Sequence, residues 1–116
     1  MPERKCGMRD DAETELAALL RPIADTYPDH LPEKVPLPAV VYQQTGGQTH
    51  NSNCSDDYTA DFRIAVYAKT AKERRQLEKQ VQAALDAAGI EQDDAPIHEF
   101  DFYLKAHVSV LSYLIY

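Results

Sequence analysis

The stretch from Thr59 to Lys69 alternates without a break and constrains the chain more than any other segment. Ala60, Phe62, Ile64, Val66 and Ala68 fall on one side of an extended strand, and Asp61, Arg63, Ala65, Tyr67 and Lys69 on the other. A period of two with one apolar face requires a sheet that is buried on that face and tolerates charge on its back. Thr70 and Glu73 follow at the spacing of a helix capping box. Beyond them Leu77, Val81, Ala84, Leu85 and Ala88 form one apolar stripe at helical spacing. Lys72, Arg75, Glu78, Lys79 and Gln82 occupy the other faces, and Gly89 is placed to end the helix. Strand 59–69 therefore passes directly into a helix over 70–88, which must lie on the sheet.

The remaining segments are read against this unit. Asp10 and Glu13 have capping-box spacing, and Ala12, Leu16, Leu19, Leu20 and Ile23 predict a helix over 10–21 that loosens at Pro22. Residues 1–9 are polar and expected to be disordered. Pro28, Pro32, Pro36 and Pro38 mark an extended connection that is no central strand. Ala39 to Thr45 is a short β-forming run, and Gly46 to Tyr58 reads as a long polar loop without aliphatic residues. Ile90 to Pro96 reads as an acidic turn. Two closing strands follow: one in which His98, Phe100, Phe102 and Leu104 alternate with Glu99, Asp101 and Tyr103, and one from Ala106 to Ile115 with bulky apolar groups on both faces. The turn between them falls within Tyr103 to Lys105. The expected fold is a two-layer α+β sandwich in the order α-β-β-α-β-β, a mostly antiparallel four-stranded sheet with two helices on one face.

At 116 residues the chain is one domain, spanning 1–116. No apolar run is long enough for a membrane span, and the N-terminus lacks the apolar stretch of a secretory signal. With 12 Lys and Arg against 19 Asp and Glu, a broadly basic nucleic-acid binder is excluded. The charge is uneven: residues 1–58 and 91–116 are acidic, whereas residues 59–90 are mildly basic, a distribution that suits packing of copies through complementary patches.

No constellation of residues points to chemistry. Asp56/Asp57 and Asp93/Asp94 are adjacent in loops, where their side chains diverge and water screens them. His50 and Cys54 offer two metal ligands where a structural zinc site needs four, and only distant Cys6 or another histidine could complete the set, so neither metal nor cofactor is expected. His98 and His107 lie on neighbouring predicted strands, and a small enzyme using either would need a cleft with an acid or Ser109 beside it. A non-enzymatic protein-interaction module is a further reading of the same residues. Six bases, Arg63, Lys69, Lys72, Arg74, Arg75 and Lys79, cluster around the central helix; they could touch phosphate, but in an acidic chain where only a few can share one face they suit a solvated face or a protein partner better.

Taken in order, the N-terminal helix, Pro36-Leu37-Pro38-Ala39-Val40-Val41-Tyr42, the polar loop, Phe62-Arg63-Ile64-Ala65-Val66-Tyr67-Ala68-Lys69-Thr70, a helix ending Val81-Gln82-Ala83-Ala84-Leu85 and two closing strands resemble a known family. The chain looks like the tail-completion (tail terminator) proteins of long-tailed phages and prophages, the group similar to the minor tail protein U of phage lambda. The resemblance implies a structural, non-enzymatic protein of the virion tail, assembled in the host cytoplasm. It implies a ring, a homohexamer, that caps the tail tube, stops its polymerisation and offers a surface for head joining. The implied partners are the tail tube protein and the head-tail connector, with DNA passing through the lumen without specific binding and no membrane involved. With this expectation, Gln48, His50, Asn51, Asp56 and Asp57 become candidates for contact with the tube or the lumen. Arg63, Lys69, Lys72 and Arg75 become candidates for pairing with acids of a neighbouring subunit, and Tyr113 and Ile115 for burial between subunits.

Overall fold

The computed structural model describes residues 10–49 and 58–115. Its elements run α1 (Asp10–Leu20), β1 (Asp25–Pro28), β2 (Ala39–Thr49), β3 (Tyr58–Ala68), α2 (Ala71–Ala87), β4 (Glu91–Gln92), β5 (Ile97–Asp101) and β6 (Ala106–Ile115). Two helices and a sheet form two layers, but the sheet has six strands and is mixed, which corrects the expected four-stranded, mostly antiparallel sheet and the α-β-β-α-β-β order. Strands β1, β2, β3 and β6 lie side by side, and β4 and β5 share the far edge of β6. All pairings are antiparallel except that of β1 with β2.

The two additional strands have clear physical origins. Asp25–Pro28 lies in the proline-rich connection and pairs in parallel with Ala39 to Tyr42. Because β1 is an edge strand, Pro28 at its end removes no required ladder bond. Glu91–Gln92 comes from the acidic turn and pairs with Tyr113 and Leu114 for only two residues. The polar loop is also shorter than expected. Strand β2 continues through an irregularity between Gln44 and Gly46 to pair Thr49 with Tyr58. Those arms are held by backbone hydrogen bonds, which need no apolar face and so leave no hydrophobic period in the sequence.

Strand β3 and helix α2 form the core unit. Phe62, Ile64, Val66 and Ala68 are buried against Leu77, Val81 and Leu85 of α2 and Leu16, Ala17 and Leu20 of α1. Thr70 Oγ1 accepts the Glu73 amide at 3.1 Å, while Glu73 Oε1 accepts the Lys69 amide at 3.2 Å. The C-terminus closes with Gly89 at φ +80°, the Gly89 amide bonded to the Asp86 carbonyl at 3.0 Å and the Ile90 amide to the Leu85 carbonyl at 2.9 Å. This is a Schellman closure, and Ile90 joins Leu85 in the core as the motif's apolar contact.

These contacts set two expectations for urea unfolding. A Cβ at Gly89 meets nothing within 4 Å, so Gly89→Ala loses only left-handed backbone freedom and lowers stability by about 1 kcal/mol. Leu85→Ala empties a fully buried site and lowers it by roughly 2–5 kcal/mol. A smaller loss for Leu85→Ala than for Gly89→Ala would show that α2 is not seated as described.

Candidate functional site

The cross-strand register divides the sheet's side chains between two surfaces. On the helix side, β6 presents Ser109, Leu111, Tyr113 and Ile115, all buried. On the other side one row crosses the sheet through Tyr27, Val41, Ala65, Val110 and Ile97, aligned pair by pair. Among the described residues no helix covers this row: Val41 is buried, Tyr27, Ala65 and Val110 are half-buried, and Ile97 is 56 % exposed. Tyr67 lies one row away, and burial together with nearby Asp101 and Glu99 raises its phenol pKa.

A buried polar cluster locks α2 to β5 and β6. Arg74 Nη1 donates to Ser109 Oγ at 2.6 Å and pairs with Glu78 Oε1 at 3.2 Å. Ser109 Oγ donates to the same carboxylate oxygen at 2.6 Å, and His98 Nε2 approaches it at 2.9 Å. Arg74 and Ser109 are buried, so the carboxylate of Glu78 offsets the desolvation of the guanidinium. Sequence reading places Arg74 among the solvated bases; the structure turns it inward. The available signal was Glu78 one helical turn after Arg74, paired with a serine on a strand otherwise apolar on both faces.

The same geometry places the two candidate histidines in different surroundings. His98 bonds Glu78, whereas His107 stacks edge-to-face on Phe100 with ring centroids 5.0 Å apart. Ser109, directly across the strand pair from His98, is fully buried and donates its hydroxyl proton to Glu78 Oε1, so that proton is directed at a carboxylate. Neither histidine lines the open groove of about 420 Å³ between α2 and β4 or the one of about 330 Å³ beside α1. Among the described residues, no cluster of His, Cys, Asp and Glu could hold a metal ion, and no helix is long and apolar enough to cross a membrane.

Of the candidate interface residues, Arg63, Lys69, Lys72 and Arg75 are exposed, but they do not form one patch. Arg63 stands between Gln43 and Ser112 on the helix-free face, while Lys72 and Arg75 lie on the outer side of α2. Tyr113 and Ile115 belong to the intramolecular core at 2 % and 4 % exposure, which leaves them no surface to offer a neighbour. Gln48 lies near the end of β2, and His50, Asn51, Asp56 and Asp57 fall outside the described residues, as do Cys6 and Cys54.

Sequence reading placed a tight turn or a bulge at Tyr103 to Lys105, and the structure turns at 102–105; what the reading missed is how far the turn exposes its apolar side chains. The expected strand ends at Asp101, and Phe102, Tyr103 and Leu104 form an exposed tip. A model of the tail completion protein gp17 family matches residues 11–106, from α1 to the first residue of β6. The chain belongs to that family. It is therefore a structural tail-completion protein of a phage-type virion, as the resemblance implied. The search of curated proteins gave no match.

Two measurements check the buried polar groups. Glu78→Gln leaves Arg74 with an unneutralised buried charge and is expected to reduce stability by an amount near the lower end of roughly 3–5 kcal/mol, since the Glu78 side chain keeps 14 % exposure. A loss below 1 kcal/mol would mean that the pair contributes little. The Tyr113 hydroxyl is buried without a partner among the described residues, and burial, then Glu78 and Asp86, push its pKa up to about 12. Between the ordinary value of 10 and about 12 the unfolded chain releases this proton while the folded chain retains it. Stability should fall as pH rises through that window, and Tyr113→Phe should flatten the fall in an alkaline unfolding series.

Proposed function

We propose that this gp17-family chain forms a ring, a homohexamer, that caps the end of the tail tube, stops its polymerisation and supplies the surface on which the head connector docks. Binding alone accomplishes this: a ring seated on the last layer of tube subunits occupies the growing end, so no covalent step is needed. The observation that carries the reading is the opposed charge of two lateral surfaces. Lys72, Arg75 and Lys79 are exposed along α2, whereas Glu91, Asp93, Asp94 and Glu99 are exposed along the β4–β5 edge. Different, complementary patches on one chain favour head-to-tail contacts, and these close into rings when the rotation permits.

The hairpins give such a ring two distinct ends. The β2–β3 hairpin leaves the sheet at the start of β3, and the β5–β6 tip leaves it at the end of β3. In this reading the 46–58 hairpin, with Gln48, His50, Asn51, Asp56 and Asp57, faces the tube or the lumen. Acidic groups there repel phosphate, so DNA passes without adhering. The assembled ring belongs to the virion tail and forms in the host cytoplasm.

Arg63→Glu combined with Arg75→Glu tests the lateral contacts. Both side chains are exposed, so the monomer should keep its fold, and surface substitutions of this kind change stability by about 0.5 kcal/mol or less. Ring formation or tube capping should fail, which sizing chromatography and electron microscopy of tails assembled with the variant would reveal. If assembly fails, the single variants separate the helix-free face, which carries Arg63, from α2, which carries Arg75; tails of normal length would remove both arginines from the interface.

A further inference from the structure

The β5–β6 tip exposes apolar groups where a turn would ordinarily be polar. Phe102 is 82 % exposed and Tyr103 94 %, with Leu104 and Phe100 near 40 %. Its shape is set in advance. Phe102 stacks edge-to-face on Phe100 at 4.9 Å, and Phe100 on His107 at 5.0 Å. Asp101 Oδ1 accepts the Leu104 amide at 3.0 Å, and Lys105 takes φ +54° as the chain turns back into β6. A tip ordered in this way loses little conformational freedom on docking.

Resting on the ring reading, we propose that this tip is the anchor between neighbouring copies. Phe102, Tyr103 and Leu104 of one copy seat beside the basic start of α2 of the next, against Lys69, Lys72 and Arg75. Three observations point to a second copy and to that location. The first is charge. Glu99 and Asp101 lead into the tip and exposed Lys105 leaves it, and with Glu91, Asp93 and Asp94 the edge carries five acids against that one base. Lys72, Arg75 and Lys79 are exposed on α2 without an ion pair among the described residues. The second is height. Ala68 pairs with His107, so the end of β3, the start of α2 and the tip all lie at one end of the sheet. Neighbours in a closed ring share the same orientation, so touching patches must stand at the same level along the axis. The third is size. At about 150–250 Å² per aromatic side chain the tip offers on the order of 500 Å². That equals a large monomer patch but is less than the roughly 800 Å² per partner of a stable pair. The charged flanks must supply the rest. In a tip-to-tip pair the two acidic flanks would repel; against α2 they attract.

The test uses the full chain with free tube ends present. Phe102→Ser with Tyr103→Ser should leave the monomer's unfolding curve unchanged and reduce the ring population seen by mass photometry at least tenfold. In a background with Cys6 and Cys54 replaced by serine, Tyr103→Cys with Lys72→Cys should give, under mild oxidation, a ladder of covalent multiples up to the full ring. Neither single-cysteine variant should give a ladder. Wild-type rings from the serine tip variant, or no ladder from the double-cysteine ring, would overturn the docking while leaving the ring reading intact. Covalent dimers from Tyr103→Cys alone would replace it with a tip-to-tip contact. Absence of rings from the wild-type chain, with and without tube ends, would overturn both proposals.

Discussion

The buried pairing of Arg74 with Glu78 is the constraint on which the arrangement of surfaces depends. It ties the first half of α2 to Ser109 at the middle of the sheet and, through Glu78, to His98 on β5. A guanidinium beneath a helix is costly without a carboxylate beside it, and this carboxylate is shared among three donors and near neighbours. Leu77, Val81 and Leu85 would bind the helix to the sheet without it, but apolar contacts are non-directional and tolerate rotation about the helix axis. Hydrogen bonds from Arg74 and Ser109 fix that rotation. With Arg74 turned inward, Lys72, Arg75 and Lys79 are turned outward, and the basic strip of α2 is a consequence of the buried pair.

The elements whose periodicity reflects burial were legible in the sequence. Strand β3, helix α2 and the apolar side of α1 follow directly from spacing, and both ends of α2 carry the capping chemistry that the residues predict. Elements held mainly by backbone hydrogen bonds were not. Strand β1 has half-buried Thr26 and Tyr27 between exposed Asp25 and Pro28, β4 is two exposed residues, and the outer arm of β2 contains two glycines. Neither β1 nor β4 buries a continuous face, so neither leaves a hydrophobic period. The strand count failed for that reason, and the two-layer α+β architecture, which depends on burial, did not.

The candidate surfaces show the same division. Arg63, Lys72 and Arg75 were identified as exposed cations from strand parity and helix phase, and they are exposed. Tyr113 and Ile115, on a strand apolar on both faces, suited burial between subunits and packing within the chain about equally, and they lie in the chain's own core. That doubled hydrophobicity reflects the place of β6 as an inner strand: α2 covers one face, and β3, β4 and β5 flank it on both edges. Phe102 was absorbed into a predicted strand by its alternation, while Tyr103 stood at the start of the expected turn or bulge. Alternation cannot reveal where a hairpin turns when no Gly or Pro marks it, and here the turn is made by the Asp101 carboxylate and the left-handed Lys105.

A formal charge of -7 raises a question for any self-assembling chain, since like-charged copies repel at long range. The answer lies in where the exceptions are. Most of the Lys and Arg of the described residues sits between Arg63 and Lys79, and its exposed members lie on α2 and on the helix-free face of β3. A copy approaching with its acidic β4–β5 edge toward α2 meets attraction, whereas two acidic edges or two α1 surfaces meet repulsion. Long-range electrostatics thus selects orientation before any apolar contact forms, and the aromatic tip adds short-range attraction only in the orientation already selected. Salt weakens the first step more than the second. On the proposed ring reading, such a chain stays dispersed while dilute and assembles where neighbours are already held in register at the end of a tube.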